Sequence, residues 1–317
     1  MFLAALVILI GFGPGQGADQ PLRAESAANA AARASADMSY DQTARFLARR
    51  LGRHLPGDMR VETRQAPGAA GLAAAAALAR APADGGVLAL LSPNVAQASA
   101  LGLAGGRFEA ARFVWIGAVA PESWACVARP GLGRGPLWCA AAGAGSRAAL
   151  QARALIELAG VQGGVLSGYA GRGEIARALE AGEADAACGW PMRDLEARRP
   201  DWLKGAMELP AVFAGAAQGR WIEGAEPSAR VLLDALAGEA DYAFALAGPP
   251  GLPEPLARGF ESALLALASD REAVEDAARA GVALDPLPGR LVSERVGALH
   301  ALPDEAKARL RAALRAP

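Results

Sequence analysis

Two short glycine turns hold the residues best suited to chemistry, and that chemistry is the holding of an anion. Gly143-Ala144-Gly145-Ser146 breaks an apolar run, Leu137 to Ala142, and opens a helix-spaced stretch from Arg147 to Gly160. Gly168-Tyr169-Ala170-Gly171 follows a second extended run, Gly163 to Ser167. It opens another helix, carrying Ile175 and Leu179 and ended by Gly182. Such a turn leaves backbone N–H groups unpaired at the start of a helix, where the helix dipole is positive. Arg147 and Arg172 follow the two turns directly, within reach of a carboxylate held there. Taken singly, each glycine has a plainer reading as the residue that permits a tight turn, and Ser146 as an N-cap. Two such turns on one sheet favour a ligand site more than either does alone.

The other reactive residues point away from catalysis. The chain has two histidines, His54 and His300, which leaves little for metal or acid–base work. A nucleophile at Cys188 would need a base to form its thiolate, and neither histidine is well placed for that. No catalytic residue, metal or cofactor is therefore expected. Cys126, Cys139 and Cys188 lack metal-type spacing. An oxidising compartment would permit one bridge and leave one thiol. Cys139 and Cys188 fall on strands expected to be neighbours, yet burial as small hydrophobes is the favoured reading of all three. A net charge of −1 offers no electrostatic footprint for nucleic acid.

Strands alternating with helices must position the turns, and that alternation predicts parallel sheets whose ligand sites lie at the carboxyl ends of the strands. At 317 residues the chain suits two domains better than one core. Tyr40, Ala44, Leu47 and Leu51 make the apolar face of an early helix, with Arg45, Arg49, Arg50 and Arg53 on a solvated face and His54 at its end. Strands are expected near 59–64, 87–91 and 113–118. Ser92 and Asn94 stand at the carboxyl end of the second of these, as caps or as ligand contacts. Residues 119–129 read as a first crossing between domains and 241–247 as the return. Helices follow near 254–268, 271–280 and 303–314, the middle one with a capping box from Ser269 and Glu272. Phe2 to Phe12 has the length of a signal-peptide core, with cleavage near Asp19, although no basic residue precedes Arg23. The alternative for that run is a hydrophobic N-terminal strand. No other segment suits a membrane span.

An ordered set of short stretches resembles a known family. It comprises Tyr40-Asp-Gln-Thr-Ala-Arg45, Pro67-Gly-Ala-Ala-Gly71, Ala83-Asp-Gly85, Ser92-Pro-Asn94 and Gly143 to Ser146. Ser167 to Ile175, Cys188-Gly-Trp190, Arg199-Pro-Asp-Trp-Leu203 and Pro249-Pro-Gly-Leu-Pro253 continue it. Together they resemble the extracytoplasmic solute receptors of tripartite tricarboxylate transporters, the Bug-type periplasmic binding proteins. The resemblance implies an α/β, two-lobed periplasmic-binding-protein fold of the type II kind, each lobe a mostly parallel sheet flanked by helices. Residues 1–18 would be the signal peptide, 19–122 with 243–317 the first lobe, and 123–242 the second. It further implies a periplasmic monomer that closes over a small organic carboxylate and delivers it to membrane permease subunits. A receptor signalling to a membrane partner instead would share the same ligand cleft.

The ligand residues the resemblance implies are Asp37, Met38, Ser39, Tyr40 and Asp41 in a first-lobe loop and Gly143, Ala144, Gly145 and Ser146 in the second-lobe turn. Ser92, Asn94, Arg147, Tyr169, Gly171, Arg172 and Trp190 surround them. One departure stands out. The family has a β-branched first strand and a glycine-rich loop before the Tyr-Asp pair, whereas residues 21–36 here are alanine-rich and Asp37-Met38-Ser39 replaces the glycines. A negative charge there is expected to disfavour plain carboxylates and favour a ligand with a cationic group.

Overall fold

The computed structural model describes residues 6–10, 40–56, 59–66, 71–131, 136–142, 147–158, 160, 162–213, 233–234 and 236–315. In chain order the elements begin with β1 (Leu6–Ile10), helix α1 over 40–50, β2 (Val61–Gln65), α2 (Leu72–Leu78), β3 (Val87–Leu91), α3 (Pro93–Ala100) and β4 (Val114–Ala118). Next come β5 (Trp124–Ala128), β6 (Leu137–Ala141), α4 (Arg147–Leu158), β7 (Gly163–Ser167), α5 (Arg172–Ala181), β8 (Ala186–Pro191), α6 (Met192–Arg198) and β9 (Glu208–Phe213). The chain closes with β10 (Ala245–Gly248), α7 (Glu254–Ala266), α8 (Arg271–Ala280), β11 (Leu287–Pro288), α9 (Gly289–His300) and α10 (Asp304–Arg315). Among the described residues no helix is long and apolar enough to cross a membrane.

These elements divide into two compact units. The first holds β1 to β4, α1 to α3, β10, β11 and α7 to α9; the second holds β5 to β9, α4 to α6 and α10. The second unit thus includes α10, assigned to the first lobe on sequence grounds, because α10 packs on α4. The first sheet runs β11-β4-β10-β3-β1-β2 and the second β7-β6-β8-β5-β9. β1 is parallel to β2 and β3, while β10 lies antiparallel between β3 and β4. β6 is parallel to β7 and β8, while β5 lies antiparallel between β8 and β9. Each sheet is therefore mostly parallel, with β10 and the short edge strand β11 reversed in the first and β5 alone reversed in the second. Its inner strands read as unbroken apolar runs, as strands covered on both faces do.

Leu6–Ile10, read as part of a signal peptide with an N-terminal strand as the alternative, forms strand β1. Leu6–Ile10 pairs in parallel with β2 on one side and β3 on the other, and Ile8 is 0 % exposed. A segment bonded on both edges inside a sheet is part of the core. A short run with Val7, Ile8 and Ile10 fits a buried parallel strand as well as it fits a leader, and hydropathy alone does not separate the two. This strand also supplies the β-branched first strand that residues 21–36 lack. On leaving it the chain enters Gly11-Phe-Gly-Pro-Gly-Gln-Gly17, a run far richer in glycine than Asp37-Met38-Ser39.

Arg45 and Arg49 on α1, and Arg53 just beyond it, are exposed, as a solvated face should be, and only Arg50 is largely covered; three of the four also pair with carboxylates of α8. Arg49 and Arg50 both donate to Asp276 of α8 at 3.1 Å, and Arg50 and Arg53 both donate to Glu272 at 2.9 Å. His54 meets Asp270 at 3.0 Å. Asp270, not Ser269, is the N-cap of α8: its Oδ1 accepts from the backbone N–H groups of Glu272 and Ala273 at 2.9 and 3.2 Å. The bond from Ala273 N–H, then that from His54, holds the Asp270 carboxyl below its usual range. Arg50 and Arg53 do the same for Glu272. For Asp276, burial pushes upward, but Arg49 and Arg50 outweigh it and the net shift is downward.

Depressed folded-state pKa values stabilise the protein above the unfolded carboxylate range, near pH 4, and that stabilisation is lost as pH falls through the folded values. Asp270→Ala is expected to cost about 1 kcal/mol at pH 7, the size of a lost N-cap. Thermal unfolding at pH 7, 5 and 3 should show the gap to the parent closing as the carboxyl protonates. A gap constant down to pH 3 would mean the ionised cap contributes nothing.

Candidate functional site

In the first unit, β1, β2 and β3 end level with one another: Ile10 pairs with Gln65 and with Leu90. The chain beyond these ends leads into α1, α2 and α3 in turn. Asp37, Met38 and Ser39 lie outside the described residues. Tyr40 opens α1 and is buried, its hydroxyl donating to the Ala243 carbonyl and its ring 4.7 Å from that of Phe244. Tyr40 thus ties α1 to the stretch entering β10. Asp41 accepts from Arg45 one helical turn on, at 2.6 Å, so its carboxylate serves the helix.

Ser92 follows β3 and is buried, without the side-chain capping bond to α3 that its position allows. It lies instead beside the start of α2, where a Cβ placed on Gly71 would stand 3.7 Å from Ser92 Oγ. Gly71 has φ 91° and forms the N-cap of α2, a conformation that favours glycine. Asn94 is half-buried in the first turn of α3. The structure therefore brings Ser92 and Asn94 to the turns above the sheet, together with Gly71.

In the second unit, β6 and β7 end level at Ala141 and Ser167. Gly143, Ala144, Gly145 and Ser146 lie outside the described residues, as does the side chain of Arg147. What seats the helix they lead into is Gly189 of β8, which sequence reasoning passed over. A Cβ at Gly189 would stand 3.1 Å from both Cα and N of Ala148, and its φ is 77°. Only bare backbone lets α4 begin so close to β8. A glycine between Cys188 and Trp190 at a strand end was the available signal.

Gly168 and Gly171 have φ 116° and 136°, and nothing stands within 4 Å of where their Cβ atoms would be. Gly171 is the N-cap of α5. Glu174, in the first turn of α5, accepts from Ala170 N–H, so part of the donor set at this turn is already used. Tyr169 is half-buried against the core, and burial, then Glu183 and Glu174, pushes its phenol pKa up. Arg172 donates from Nη1 to Asp194 Oδ2 at 2.5 Å. Trp190 is 6 % exposed and lies edge-on to Trp202, ring centres 5.2 Å apart, within the cluster formed by Ile175, Leu179, Leu195 and Val212. Its indole is placed in the core.

The cysteines differ from the sequence reading. Cys126 of β5 and Cys188 of β8 form a disulfide, and Cys139 alone remains free. β8 does neighbour β6, which carries Cys139, but Cys188 finds its partner on the other flank, in β5. Burial, then Asp185, pushes the Cys139 thiol up to about 12, which keeps it protonated and inert. Among the described residues no group of three His, Cys, Asp or Glu could hold a metal ion.

No protein-family model and no curated protein matches the sequence. Solved structures do. A TctC solute-binding protein from Polaromonas aligns with a TM-score of 0.65 and 16% identity, over 97% of this chain and 98% of that one. The chain has the fold of the TctC and Bug-type periplasmic binding proteins. Periplasmic binding protein BugD aligns at TM-score 0.50 and 17% identity, over 98% of this chain and 97% of its own. An R. palustris protein with adipate aligns at TM-score 0.51 and 17% identity, over 97% of each chain. At these identities the likeness is one of fold.

Proposed function

We propose that this protein is a periplasmic solute-binding receptor that takes a small organic carboxylate and passes it to the membrane permease of a tripartite tricarboxylate-type transporter. The observation that carries this reading is the pairing of a TctC fold with helix-opening turns at the carboxyl edge of each sheet. Adipate in a neighbour of the same fold supports a carboxylate as the ligand class. The disulfide supports an oxidising compartment. It also consumes the thiol of Cys188, which removes the nucleophile from a cysteine-enzyme reading.

In the second unit the proposed contacts are backbone N–H groups of Gly143 to Ser146 and Gly171, with Arg147 and Arg172; in the first unit they are Ser92 and Asn94. In the first unit the chain leaving β1 carries the glycine run Gly11 to Gly17 well before Asp37. That run, rather than the segment Asp37 to Asp41, is the one suited to offer bare amides. Asp37 then has no necessary part in charge selection.

A thermal-shift screen over mono-, di- and tricarboxylates and acidic amino acids tests the reading. A ligand at a hundred times its Kd stabilises by about 2.7 kcal/mol, which raises Tm by roughly 4 °C in a protein of this size. A folded protein that responds to no carboxylate would overturn the substrate class.

A further inference from the structure

Arg172 and Asp194 sit on the segments that follow β7 and β8, the two strands flanking β6, and β6 leads into Gly143 to Ser146. Arg172 begins α5 and Asp194 lies in the first turn of α6. Their contact is single-pointed, Nη1 to Oδ2 at 2.5 Å, and Arg172 makes no other polar contact among the described residues. Half of its side chain, 53%, is exposed. A guanidinium has five donors in a planar fork, so one contact leaves an edge free for a bidentate carboxylate. The backbone before it is open, since no atom crowds the Cβ directions of Gly168 and Gly171. Of the neighbouring charges, Glu174 accepts from Ala170 N–H and Arg193 pairs with Glu122.

We propose that Asp194 sets the charge preference of the carboxylate site by holding the Arg172 guanidinium and offsetting its charge. The ligand carboxylate takes the open edge of that guanidinium while Asp194 keeps the other. Asp194 thereby orients the cation that recognises the ligand and, through its own negative charge, weakens the hold on dianions more than on monoanions. This rests on the carboxylate reading above, and it assigns Asp194 a positioning role that the sequence did not suggest.

The test is calorimetric titration of the full chain with adipate and with hexanoate, a dianion and a monoanion of equal chain length, at low and high salt. Asp194→Asn keeps an acceptor for Arg172 but removes the charge. It is expected to tighten adipate by about five- to tenfold, hexanoate by less, and to steepen the salt dependence. Asp194→Ala removes the orienting contact too and should recover less of that gain. Arg172→Gln should weaken adipate about tenfold or more, and in that background Asp194→Asn should change little. A parent that binds adipate while Asp194→Asn leaves affinity, the adipate-to-hexanoate ratio and the salt slope unchanged overturns the role of Asp194. An Arg172→Gln variant that binds as the parent does overturns the role of Arg172. A folded parent that binds neither acid, nor any carboxylate in the thermal screen, overturns the carboxylate reading instead, and this inference with it.

Discussion

Removing the Cys126–Cys188 bridge is expected to lower stability by about 4 kcal/mol, the chain-entropy value for a loop closed across a sequence separation of 62. The bridge joins β5 to β8, and so ties the reversed strand of the second sheet to its neighbour. In a protein of this size the loss corresponds to a fall in Tm of roughly 6 °C. Unfolding scans of the Cys126→Ala, Cys188→Ala double variant against the parent, each with and without reductant, measure it. The double variant should be indifferent to reductant, and Cys139→Ala should unfold close to the parent. A parent whose Tm does not move on full reduction would deny the bridge a stabilising role. Thiol titration offers a parallel check: one thiol on denaturation and none in the native protein, since Cys139 is buried and its pKa is pushed to about 12.

Trp190→Ala is expected to cost about 3–5 kcal/mol, the range for emptying a buried aromatic site. The indole packs edge-on against Trp202, itself 1 % exposed and covered by the guanidinium of Arg199 at 5.0 Å. Stability and ligand contact can be told apart with Trp190→Phe, which keeps an aromatic ring in the cluster. That variant should lose a fraction of the stability and leave adipate affinity within about twofold. A strong loss of affinity in a stable Trp190→Phe protein would return Trp190 to the ligand site.

The second unit was largely legible in the sequence because its signals are local. The strands at Leu137–Ala141 and Gly163–Ser167 and the helix stop at Gly182 follow from apolar periodicity and glycine placement, and the structure has all three. Ser92 and Asn94 were legible as residues at a strand's carboxyl end for the same reason. What was not legible depended on partners distant in sequence. Nothing local to Leu6–Ile10 distinguishes a core strand from a leader, since the distinction lies in β2 and β3. The partner of Cys188 depended on which strand flanks β8 on each side. The exposure of Arg45, Arg49 and Arg53 was legible, but the carboxylate partners of Arg49, Arg50 and Arg53 on α8 were not, because Glu272 and Asp276 arrive more than two hundred residues later. Trp190, a ligand residue by resemblance, packs on Trp202 in the core cluster, and that packing was not legible because Trp202 lies in a separate element.

The reversed strand β10, inside the first sheet, has a consequence for how the chain is made. β10 fills the space between β3 and β4, pairing Leu246 with Leu90 and with Gly117. It is synthesised only after the whole run from β5 to β9. A nascent chain that has emitted β1 to β4 therefore holds two strands whose shared neighbour does not yet exist, and their facing edges stay unsatisfied until residue 245 emerges. The first sheet closes last although it begins first. A fragment cut between the two units at residue 121 would keep β3 and β4 but lack the strand that joins them, whereas the second sheet, β5 to β9, comes from one uninterrupted stretch of chain.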